Sequence, residues 1–308
     1  MTELIAQPHI ADAHLSTAGD SRDSGAPIVR LGRRLASAPL PRGLERARSA
    51  VKKVVWTAHE ARLVTTPARY AFRELVRPNV SEYTLRRGPG KIVLRHRSGD
   101  IDIFRKFYGY GYYEWPAEVI TRLESLGRPL RVLDLGANIG FFEVYAQARW
   151  PIAEMTGFEP DPGNAAVLER VRDANGACTR VVQACASNAN GTATFKTGHK
   201  NFSRIEPDGD RIVETIDVFP YVAQADLVKM NIEGSEWEIM EDARLADSDA
   251  IWIVEYHRIR NPGPDITALA RQQFERHGYQ TMIAMSHDNN GLLWAFKPEK
   301  EAGGSAAH

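Results

Sequence analysis

Four short stretches of the chain place polar residues at a predicted turn or at the end of a predicted strand. The first runs from Asp134 to Gly140, where Gly136 and Gly140 follow an apolar run. Glycines let a backbone turn sharply and approach a ligand. The spacing is G-x-x-x-G, with Asn138 where a pyrophosphate site of the G-x-G-x-x-G type has its second glycine. The turn suits S-adenosylmethionine, with Asp134 facing its ammonium group. A dinucleotide site and a plain strand–turn–helix are the alternatives.

The second stretch, Gly157 to Pro162, places Glu159 a total of 25 residues after Asp134 (159 − 134). An acidic side chain at such a position accepts hydrogen bonds from ribose hydroxyls. Pro160 and Pro162 end the predicted strand, so Glu159 should lie at the carboxyl edge of the sheet, where open α/β sheets bind ligands. We therefore predict a ribose contact, with a solvated surface glutamate as the alternative.

In each of two further stretches, a predicted apolar strand ends in polar side chains. Lys229, Asn231 and Glu233 end one strand, and Glu255 and His257 end the next. Burying such groups without partners is costly, so a ligand or one another must satisfy them. A purely structural pair of Lys229 with Glu233 is one alternative. His257 shares a face with Glu255 and is either a general base or a hydrogen-bonded edge histidine.

The elements that position these residues alternate between strand and helix from residue 116 onward, as in a parallel α/β sheet. A helix is predicted at 116–126 and another at 139–149. Strands are predicted through 132–135 and at 154–158, 180–186, 226–232 and 250–255, with an insertion at 187–209. A final hairpin, 279–284 and 292–296, turns at Asn289–Gly291. We predict a doubly wound, mostly parallel sheet with helices on both faces and an antiparallel last strand.

The region before this sheet is basic. Residues 28–77 hold twelve lysines and arginines against three acids, a net charge of +9 (12 − 3). Apolar residues at helical spacing from 41–43 onward predict a basic amphipathic helix. The favoured interpretation is a helix packed on the rest of the protein with a solvated basic face. The alternative is contact with anionic lipid, an acidic carrier protein or a charged substrate.

The pattern predicts five segments. They are a disordered tail (1–27), a basic helical extension (28–80), a small antiparallel β cap with an aromatic lid (81–115), a catalytic domain (116–299) and a flexible tail (300–308). Strands of the cap are predicted at 82–86, 91–95 and 100–104, separated by glycine-rich turns. The aromatic stretch 107–115 either stacks on a ligand or packs between cap and core.

Composition narrows the classes of partner. The formal net charge is +0, and no aromatic platform accompanies the basic stretch, so nucleic-acid binding is not expected. Cys178 and Cys185 have no metal-ligand spacing, so no metal site and no disulfide framework are predicted. No apolar run is long enough to span a bilayer. We expect a cytoplasmic protein, at most peripheral to the membrane, whose oligomeric state the sequence does not indicate.

Taken together, the four stretches resemble the FkbM family of S-adenosylmethionine-dependent methyltransferases. The matching motifs are Asp134–Gly140, Phe158–Pro160, Lys229–Glu236 and Val254–His257, within a resemblance that runs from about residue 95 to 298. The resemblance implies a Rossmann-like class I methyltransferase sheet of seven strands with a reversed last strand. It implies methyl transfer, most often to a hydroxyl of a natural product, sugar or glycolipid. Asn231 stands where the family usually has Asp, which puts in doubt any role there that needs negative charge.

These inferences give a set of predicted roles. The cofactor side holds Asp134, Gly136, Ala137, Asn138, Gly140, Glu159 and Pro160, with Ser187 near the adenine. The acceptor side holds Lys229, Asn231, Glu233, Glu255 and His257, and His257 is the leading base. One rival is an NAD(P)-dependent oxidoreductase, which the missing middle glycine disfavours. The other is a catalytically inactive methyltransferase-fold binding protein, which Asn231 keeps open.

Overall fold

The fold is taken from a computed structural model that describes residues 42–88, 90–196, 204–205, 209–259 and 263–298. The predicted tails, 1–27 and 300–308, lie outside the described residues. Within the described part, no helix is both long enough and apolar enough to cross a membrane.

Within the described part of the chain, several helices and a small sheet precede the main sheet. They are α1 (Arg42–Ala61), α2 (Pro67–Leu75), β1 (Val80–Thr84) and β2 (Lys91–Arg95), followed by α3 (Asp100–Phe104), a π-helix (Arg105–Gly109) and α4 (Ala117–Ser125). The hydroxyl of Tyr70 donates a hydrogen bond to buried Glu60 at 3.0 Å, which ties α2 to α1. The basic helix predicted from 41–43 onward is therefore present as α1.

The strand predicted at 100–104 is wrong, because these residues form α3 and run on into the π-helix. The Asp100 carboxylate is fully buried and accepts hydrogen bonds from the Arg95 backbone (2.8 Å) and guanidinium (2.8–2.9 Å). The Asp100 backbone N–H also donates to the Ser98 hydroxyl. These bonds turn the chain at its polar residues and start a helix, which overrides the apolar alternation. The cap therefore has two strands, β1 and β2, paired antiparallel.

The main sheet has seven strands. In chain order the remaining elements are β3 (Leu130–Leu135), α5 (Phe141–Gln147), β4 (Ile152–Phe158), α6 (Pro162–Asn175), β5 (Thr179–Val182), β6 (Cys185–Ser187), β7 (Gly191–Lys196), β8 (Arg204–Ile205), β9 (Arg211–Asp217), α7 (Phe219–Val222), β10 (Leu227–Met230), α8 (Glu236–Glu241), β11 (Ile251–His257), α9 (Ile266–Glu275), β12 (Gln280–Ser286) and β13 (Asn290–Phe296). The strand order is β12-β13-β11-β10-β3-β4-β5. Neighbours from β11 through β5 are parallel, whereas β13 is antiparallel to β11 and β12. The predicted mostly parallel sheet with a reversed last strand is confirmed.

The core lies on both faces of this sheet. Along β3, Val132 joins one buried cluster with residues of β1, β2 and α3, whereas Leu133 and Leu135 join a second cluster with α7, α8 and α9. Alternate residues of a strand point to opposite faces, so a strand covered on both sides is apolar throughout. This explains why the central strands appear in the sequence as continuous apolar runs.

The single strand predicted at 180–186 is in fact two strands in two sheets. β5 is the edge of the main sheet, whereas β6 pairs with β9 in a second sheet of order β6-β9-β7-β8. Between them the Ala184 N–H donates to the Val182 carbonyl at 2.9 Å, which is a tight turn that redirects the chain. The second sheet brings Cys185 and Ala186 beside the carboxyl ends of the main strands.

Candidate active site

A cleft lies at the carboxyl ends of β3, β4 and β10, the edge at which open α/β sheets bind ligands. We call it the first cleft. It is lined by the turn after β3 (Gly136, Ala137 and Asn138), the end of β4 (Glu159 and Pro160), two residues of β6 (Cys185 and Ala186), the end of β10 (Lys229, Asn231 and Glu233) and the segment before β3 (Lys106, Phe107 and Tyr113). Aromatic Phe107 and Tyr113 stack on one another with ring centroids 4.4 Å apart, so the aromatic stretch both lines the cleft and packs against the core.

Gly136 allows the turn after β3 to touch the loop after β10. Its φ is +83°, and a Cβ atom at this position would lie 1.9 Å from the Asn231 carbonyl oxygen. The N–H groups of Gly136 and Ala137 donate to the Phe158 carbonyl at 3.1 and 2.8 Å. Only glycine fits such a left-handed, crowded position. The sequence pattern of this turn therefore reflects a close packing of three strand ends.

Asn138 and Glu159 join the turn to the end of β4. Asn138 has a left-handed φ of +51°, and its N–H donates to Glu159 Oε2 at 2.8 Å. Glu159 Oε1 accepts from the Asp161 N–H at 2.9 Å and from the Asn164 amide at 3.4 Å. Burial raises the pKa of Glu159 to about 7. A carboxylate has about four acceptor positions, so Oε2 keeps one for a ligand in the first cleft.

Asp134 and Lys229 form a buried ion pair beneath this turn. The strand register sets the two residues side by side, and Lys229 Nζ lies 2.9 Å from Asp134 Oδ1. The same ammonium donates to the Gly136 carbonyl at 2.6 Å. Burial raises the pKa of Asp134, and the charge of Lys229 acts in the opposite direction. Lys229 is therefore partnered by Asp134 rather than by Glu233, and Asp134 does not line the first cleft.

A second cleft adjoins the first and shares Lys106 and Glu233 with it. Its lining also includes Glu255, His257, Arg258, Ile259, Asn289 and Asn290. Charged and amide side chains dominate this lining. The two clefts therefore adjoin one another, with the glycine turn after β3 in the first cleft and mostly charged or amide side chains in the second.

Glu255 is the hydrogen-bonding centre of the second cleft. Its carboxylate is almost fully buried and accepts from Lys106 Nζ (3.0 Å), the Tyr113 hydroxyl (3.0 Å) and the Asn231 amide (2.9 Å). Burial alone would raise the pKa of Glu255, but the charge of Lys106, the charge of His257 and the hydrogen bond from Lys106 lower it below its ordinary value. Glu255 is thus a fixed anion that positions its neighbours rather than a group poised to take a proton.

His257 lies between carboxylates. Its Nδ1 is 3.0 Å from Glu236 Oε1, while its Nε2 is 3.7 Å from Glu233 and 3.8 Å from Glu255. Burial lowers the pKa of His257, but the hydrogen bond to Glu236 and the surrounding negative charge outweigh it and raise the pKa to about 9. The imidazole is therefore mostly a cation at neutral pH, which argues against its predicted role as leading general base.

Glu233 is the better-placed proton acceptor. It lines both clefts, and burial raises its pKa to about 7 although the charge of His257 opposes this. Its φ is +55° and that of Gly234 is +107°, so the loop after β10 is bent sharply. Buried Glu236 holds this loop by accepting from the N–H groups of Ile232 (3.1 Å) and Gly234 (2.8 Å). A carboxyl group with a pKa near the working pH is suited to general base catalysis.

The structure brings together most of the predicted site residues. Gly136, Ala137, Asn138, Glu159 and Pro160 line the first cleft, while Glu255 and His257 line the second and Glu233 lines both. Gly140, with a φ of +84°, precedes α5 and packs against α6. Ser187 does not line either cleft, and Cys185 and Ala186 lie at that wall instead.

Sequence reasoning missed Lys106, Tyr113, Glu236 and Asn290. Glu236 lies inside the quoted motif Lys229–Glu236, and its acidic character three residues after Glu233 was the available signal. Lys106 and Tyr113 reach Glu255 from 149 and 142 residues away along the chain. No local spacing connects residues so far apart.

The residues of the first cleft fit S-adenosylmethionine. The side-chain oxygens of Asn138 and Asn231 are buried and have no hydrogen-bond partner within the described part of the chain. Buried acceptors normally have a partner, and an ammonium group or hydroxyls could supply the missing donors. No group of three or more His, Cys, Asp or Glu side chains within the described ranges is arranged to hold a metal ion.

Comparisons with solved structures found proteins of similar architecture at low identity. A precorrin-6y C5,15-methyltransferase from Geobacter metallireducens GS-15 is 16% identical, with 58% of this chain and 88% of that chain covered at a TM-score of 0.37. Protein PH0793 from Pyrococcus horikoshii is 14% identical, with 71% and 72% covered at 0.36. The YcgJ protein of Bacillus subtilis is 11% identical, with 56% and 93% covered at 0.34. A search of curated sequences found no match.

A family model described as the methyltransferase FkbM domain matches residues 134–281. The match begins at Asp134, the buried acidic residue of β3, and ends at Thr281 within β12. It therefore spans the turn after β3, Glu159 and the polar ends of β10 and β11. The seven-stranded sheet with its reversed last strand is the fold of class I methyltransferases. Residues 134–281 thus match the model of the FkbM methyltransferase domain family.

Proposed function

We propose that the protein is an S-adenosylmethionine-dependent O-methyltransferase that acts on a hydroxyl of a small molecule, glycan or glycolipid. The observation that carries the proposal is the pairing of two adjoining clefts. The first combines the glycine turn with Glu159, and the second presents Glu233, Glu255 and His257. The match of residues 134–281 to the FkbM methyltransferase domain supports methyl transfer. The charged and amide side chains of the second cleft support a hydroxyl acceptor.

Asn138, Glu159 and Asn231 would hold the cofactor in the first cleft. The free acceptor position of Glu159 suits a ribose hydroxyl, and the unpaired side-chain oxygens of Asn138 and Asn231 suit further donors. Ser187 near the adenine stays a prediction. When bound, S-adenosylmethionine supplies an electrophilic methyl group carried on sulfur.

The second cleft would activate the acceptor. The Glu233 carboxylate would accept the hydroxyl proton while the acceptor oxygen gains the methyl group and the carbon–sulfur bond to that methyl breaks, leaving S-adenosylhomocysteine. Glu233 is partly ionised near pH 7 because its pKa is about 7. The His257 cation lies 3.7 Å from Glu233 and would favour its ionised form before attack. Glu255 would hold Lys106, which lines both clefts, beside the hydroxyl. General base catalysis of this kind contributes roughly 100- to 10,000-fold to a rate.

Calorimetry tests the cofactor assignment. We expect the full chain to bind S-adenosylmethionine and its demethylated product S-adenosylhomocysteine, and to bind NAD at least about tenfold more weakly, because the turn lacks a pyrophosphate pattern. Glu159→Ala should weaken binding of S-adenosylmethionine about tenfold or more, since it removes a charged hydrogen-bond acceptor. Exposed Glu169→Ala on α6 is the matched control. Tight binding of NAD and none of S-adenosylmethionine would overturn the proposal in favour of an oxidoreductase.

The second candidate function is that of a catalytically inactive binding protein, and the amide at position 231 favours it. The Asn231 amide donates to Glu255, so this position supplies a hydrogen bond but no negative charge. A binding protein would retain the cofactor site without transferring a methyl group. Cofactor turnover with a pool of hydroxylated acceptors separates the two candidates.

A further inference from the structure

Helices α1 and α2 carry many more basic than acidic residues. We call residues 42–77, which include α1 and α2, the basic hairpin. The basic hairpin contains nine lysines and arginines against three acids, a net charge of +6 (9 − 3). Two of those acids are buried: Glu60 is 1% exposed and Glu74 is 5% exposed. Their charges are matched by Arg105 on one side and by His96 and Lys53 on the other. Within residues 47–77, whose side-chain burial the structure describes, both acids are buried, so the exposed lysines and arginines dominate the charge of the surface.

Large apolar side chains are exposed on the same hairpin. Val54 is 52% exposed, Phe72 is 49% exposed and Val76 is 65% exposed. Lys53 Nζ lies 3.7 Å from Glu74 Oε1, which places the middle of α1 beside the last turn of α2. Val54 and Val76 each lie within two residues of that contact. Val54 and Val76 are therefore close to the contact between the middle of α1 and the last turn of α2.

The spacing along α2 sets cations beside apolar residues. Three arginines follow one another at intervals of four residues: Arg69, Arg73 and Arg77. Phe72 and Val76 are also four residues apart, and each directly precedes one of these arginines. Residues three and four apart are neighbours on a helix surface. Arg69, Phe72 and Arg73 lie on α2, and Val76 and Arg77 directly follow its last residue, Leu75, so cations and apolar side chains lie close together at this end of the helix. This arrangement is typical of helices that lie in the headgroup region of a membrane.

We propose that the basic hairpin docks on an anionic phospholipid surface. Lysines and arginines would contact the headgroup phosphates, while Val54, Phe72 and Val76 would enter the boundary of the acyl chains. An acidic carrier protein would match the charge, but a lipid surface matches both the charge and the exposed apolar side chains. This proposal goes beyond methyl transfer and does not depend on it.

The hairpin is linked directly to the catalytic clefts. Buried Glu60 of α1 pairs with Arg105 of the π-helix, whose guanidinium also lies 4.9 Å from the centre of the Trp56 ring. The next residue, Lys106, lines both clefts and bonds to Glu255 at 3.0 Å. A docked hairpin would therefore be braced against the segment that forms the wall shared by the two clefts.

Flotation of the full chain with lipid vesicles tests the proposal. One set of vesicles contains phosphatidylcholine alone, and the other contains phosphatidylcholine mixed with phosphatidylglycerol. We expect the wild-type chain to bind the anionic vesicles much more strongly, and to release them as salt rises because the contacts are screened. The double variant Lys52→Gln and Arg77→Gln should bind about 25-fold more weakly, since each basic residue near such a surface contributes about fivefold.

The apolar side chains and a control patch complete the test. The double variant Val54→Ser and Phe72→Ser should bind the anionic vesicles about tenfold more weakly, because two half-exposed side chains lose their burial. The matched control is Arg211→Gln with Ile212→Ser, an exposed cation and an exposed apolar residue on β9. It should bind like the wild type. Circular dichroism and affinity for S-adenosylmethionine check that each variant is folded.

Three results would overturn the proposal. Absence of binding to anionic vesicles would reject it, as would equal losses in the control and the hairpin variants. A hairpin variant that changes self-association or binding to an acidic protein, but not binding to vesicles, would assign the surface to a protein partner. Loss of methyl transfer with vesicle binding intact would affect only the proposed activity.

Discussion

At the scale of single residues, the proposed methyl transfer depends on which side chain takes the proton of the acceptor hydroxyl. His257 is held by Glu236 through Nδ1 and faces two more carboxylates through Nε2, so it is stabilised as a cation. Glu233 is half-buried, has a pKa of about 7 and lines both clefts. The two residues therefore have separable effects on the pH dependence of turnover.

We predict that turnover rises with pH through about 7, as Glu233 loses its proton, and falls as pH rises through about 9, as His257 loses its own. Glu233→Gln should lower turnover about 100-fold or more with little change in affinity for S-adenosylmethionine. His257→Gln should remove the alkaline fall and move the rise to higher pH, because it deletes the cation that lowers the pKa of Glu233. The measurement is turnover number across pH, with exposed Glu169→Gln as control.

The opposite pattern would restore His257 as the base. In that case His257→Gln would abolish turnover at every pH, while Glu233→Gln would leave a substantial rate.

The turn glycine gives a second prediction at this scale. Gly136→Ala should lower the free energy of unfolding by at least about 2 kcal/mol, because it combines a left-handed φ with a clash against Asn231. Gly176→Ala is the matched control, since its φ is +60° but nothing lies within 4 Å of a Cβ atom there. It should cost only about 1 kcal/mol. Chemical denaturation measures both, and equal costs would show that the contact with Asn231 does not matter.

At the scale of elements, strands β3 and β10 are joined by a buried ion pair. The parallel register puts Asp134 opposite Lys229, and the Lys229 ammonium also bonds the Gly136 carbonyl. The two charged groups are therefore buried in the core, next to the glycine turn that follows β3. Removing one partner would leave an uncompensated buried charge.

Lys229→Met should lower the free energy of unfolding by about 3–5 kcal/mol. Combining it with Asp134→Leu should restore much of that loss, because no unpaired charge remains. As a control, Arg271→Met breaks an exposed pair with Glu275 and should cost less than about 1 kcal/mol. If the single and double Lys229 variants are equally unstable, the ion pair is not the source of the effect.

Much of the fold was predictable at this scale because the central strands are covered on both faces. Continuous apolar runs marked β3, β10 and β11, and Asn289–Gly291 marked the turn between β12 and β13, which the structure places at 287–289. Residues 100–104 were not predictable as a helix, because Arg95 and Ser98 set their turn through side-chain hydrogen bonds. Likewise, the partners of Glu255 come from distant segments that only the folded chain brings together.

At the scale of the whole molecule, buried carboxyl groups govern how stability depends on pH. Burial raises the pKa of Glu143, Glu159 and Glu233 to about 7 each. A raised pKa means that the folded state holds the proton more tightly than the unfolded state. The stability from such a group is therefore present below about pH 4.3, its unfolded pKa, and is lost as pH rises toward about 7.

Glu143→Gln tests this at a residue outside both clefts. Both carboxyl oxygens of Glu143 are buried without a hydrogen-bond partner in the described structure. The variant should lose part of the pH dependence and become more stable than wild type by up to about 3 kcal/mol near pH 8. Unfolding free energies at about pH 5 and about pH 8 measure this, with Glu169→Gln as control. An unchanged pH slope would show that Glu143 is ionised in the folded protein.

The central claim is that the whole chain transfers a methyl group from S-adenosylmethionine to a hydroxyl. The most direct measurement is mass spectrometry of cell extract incubated with the protein and S-adenosylmethionine whose methyl group is deuterated. We predict a hydroxylated compound that gains one labelled methyl on oxygen with the wild-type chain, and about 100-fold less of it with Glu233→Gln. Binding of the cofactor without any labelled product, or a label that resides on nitrogen or carbon, would contradict the claim.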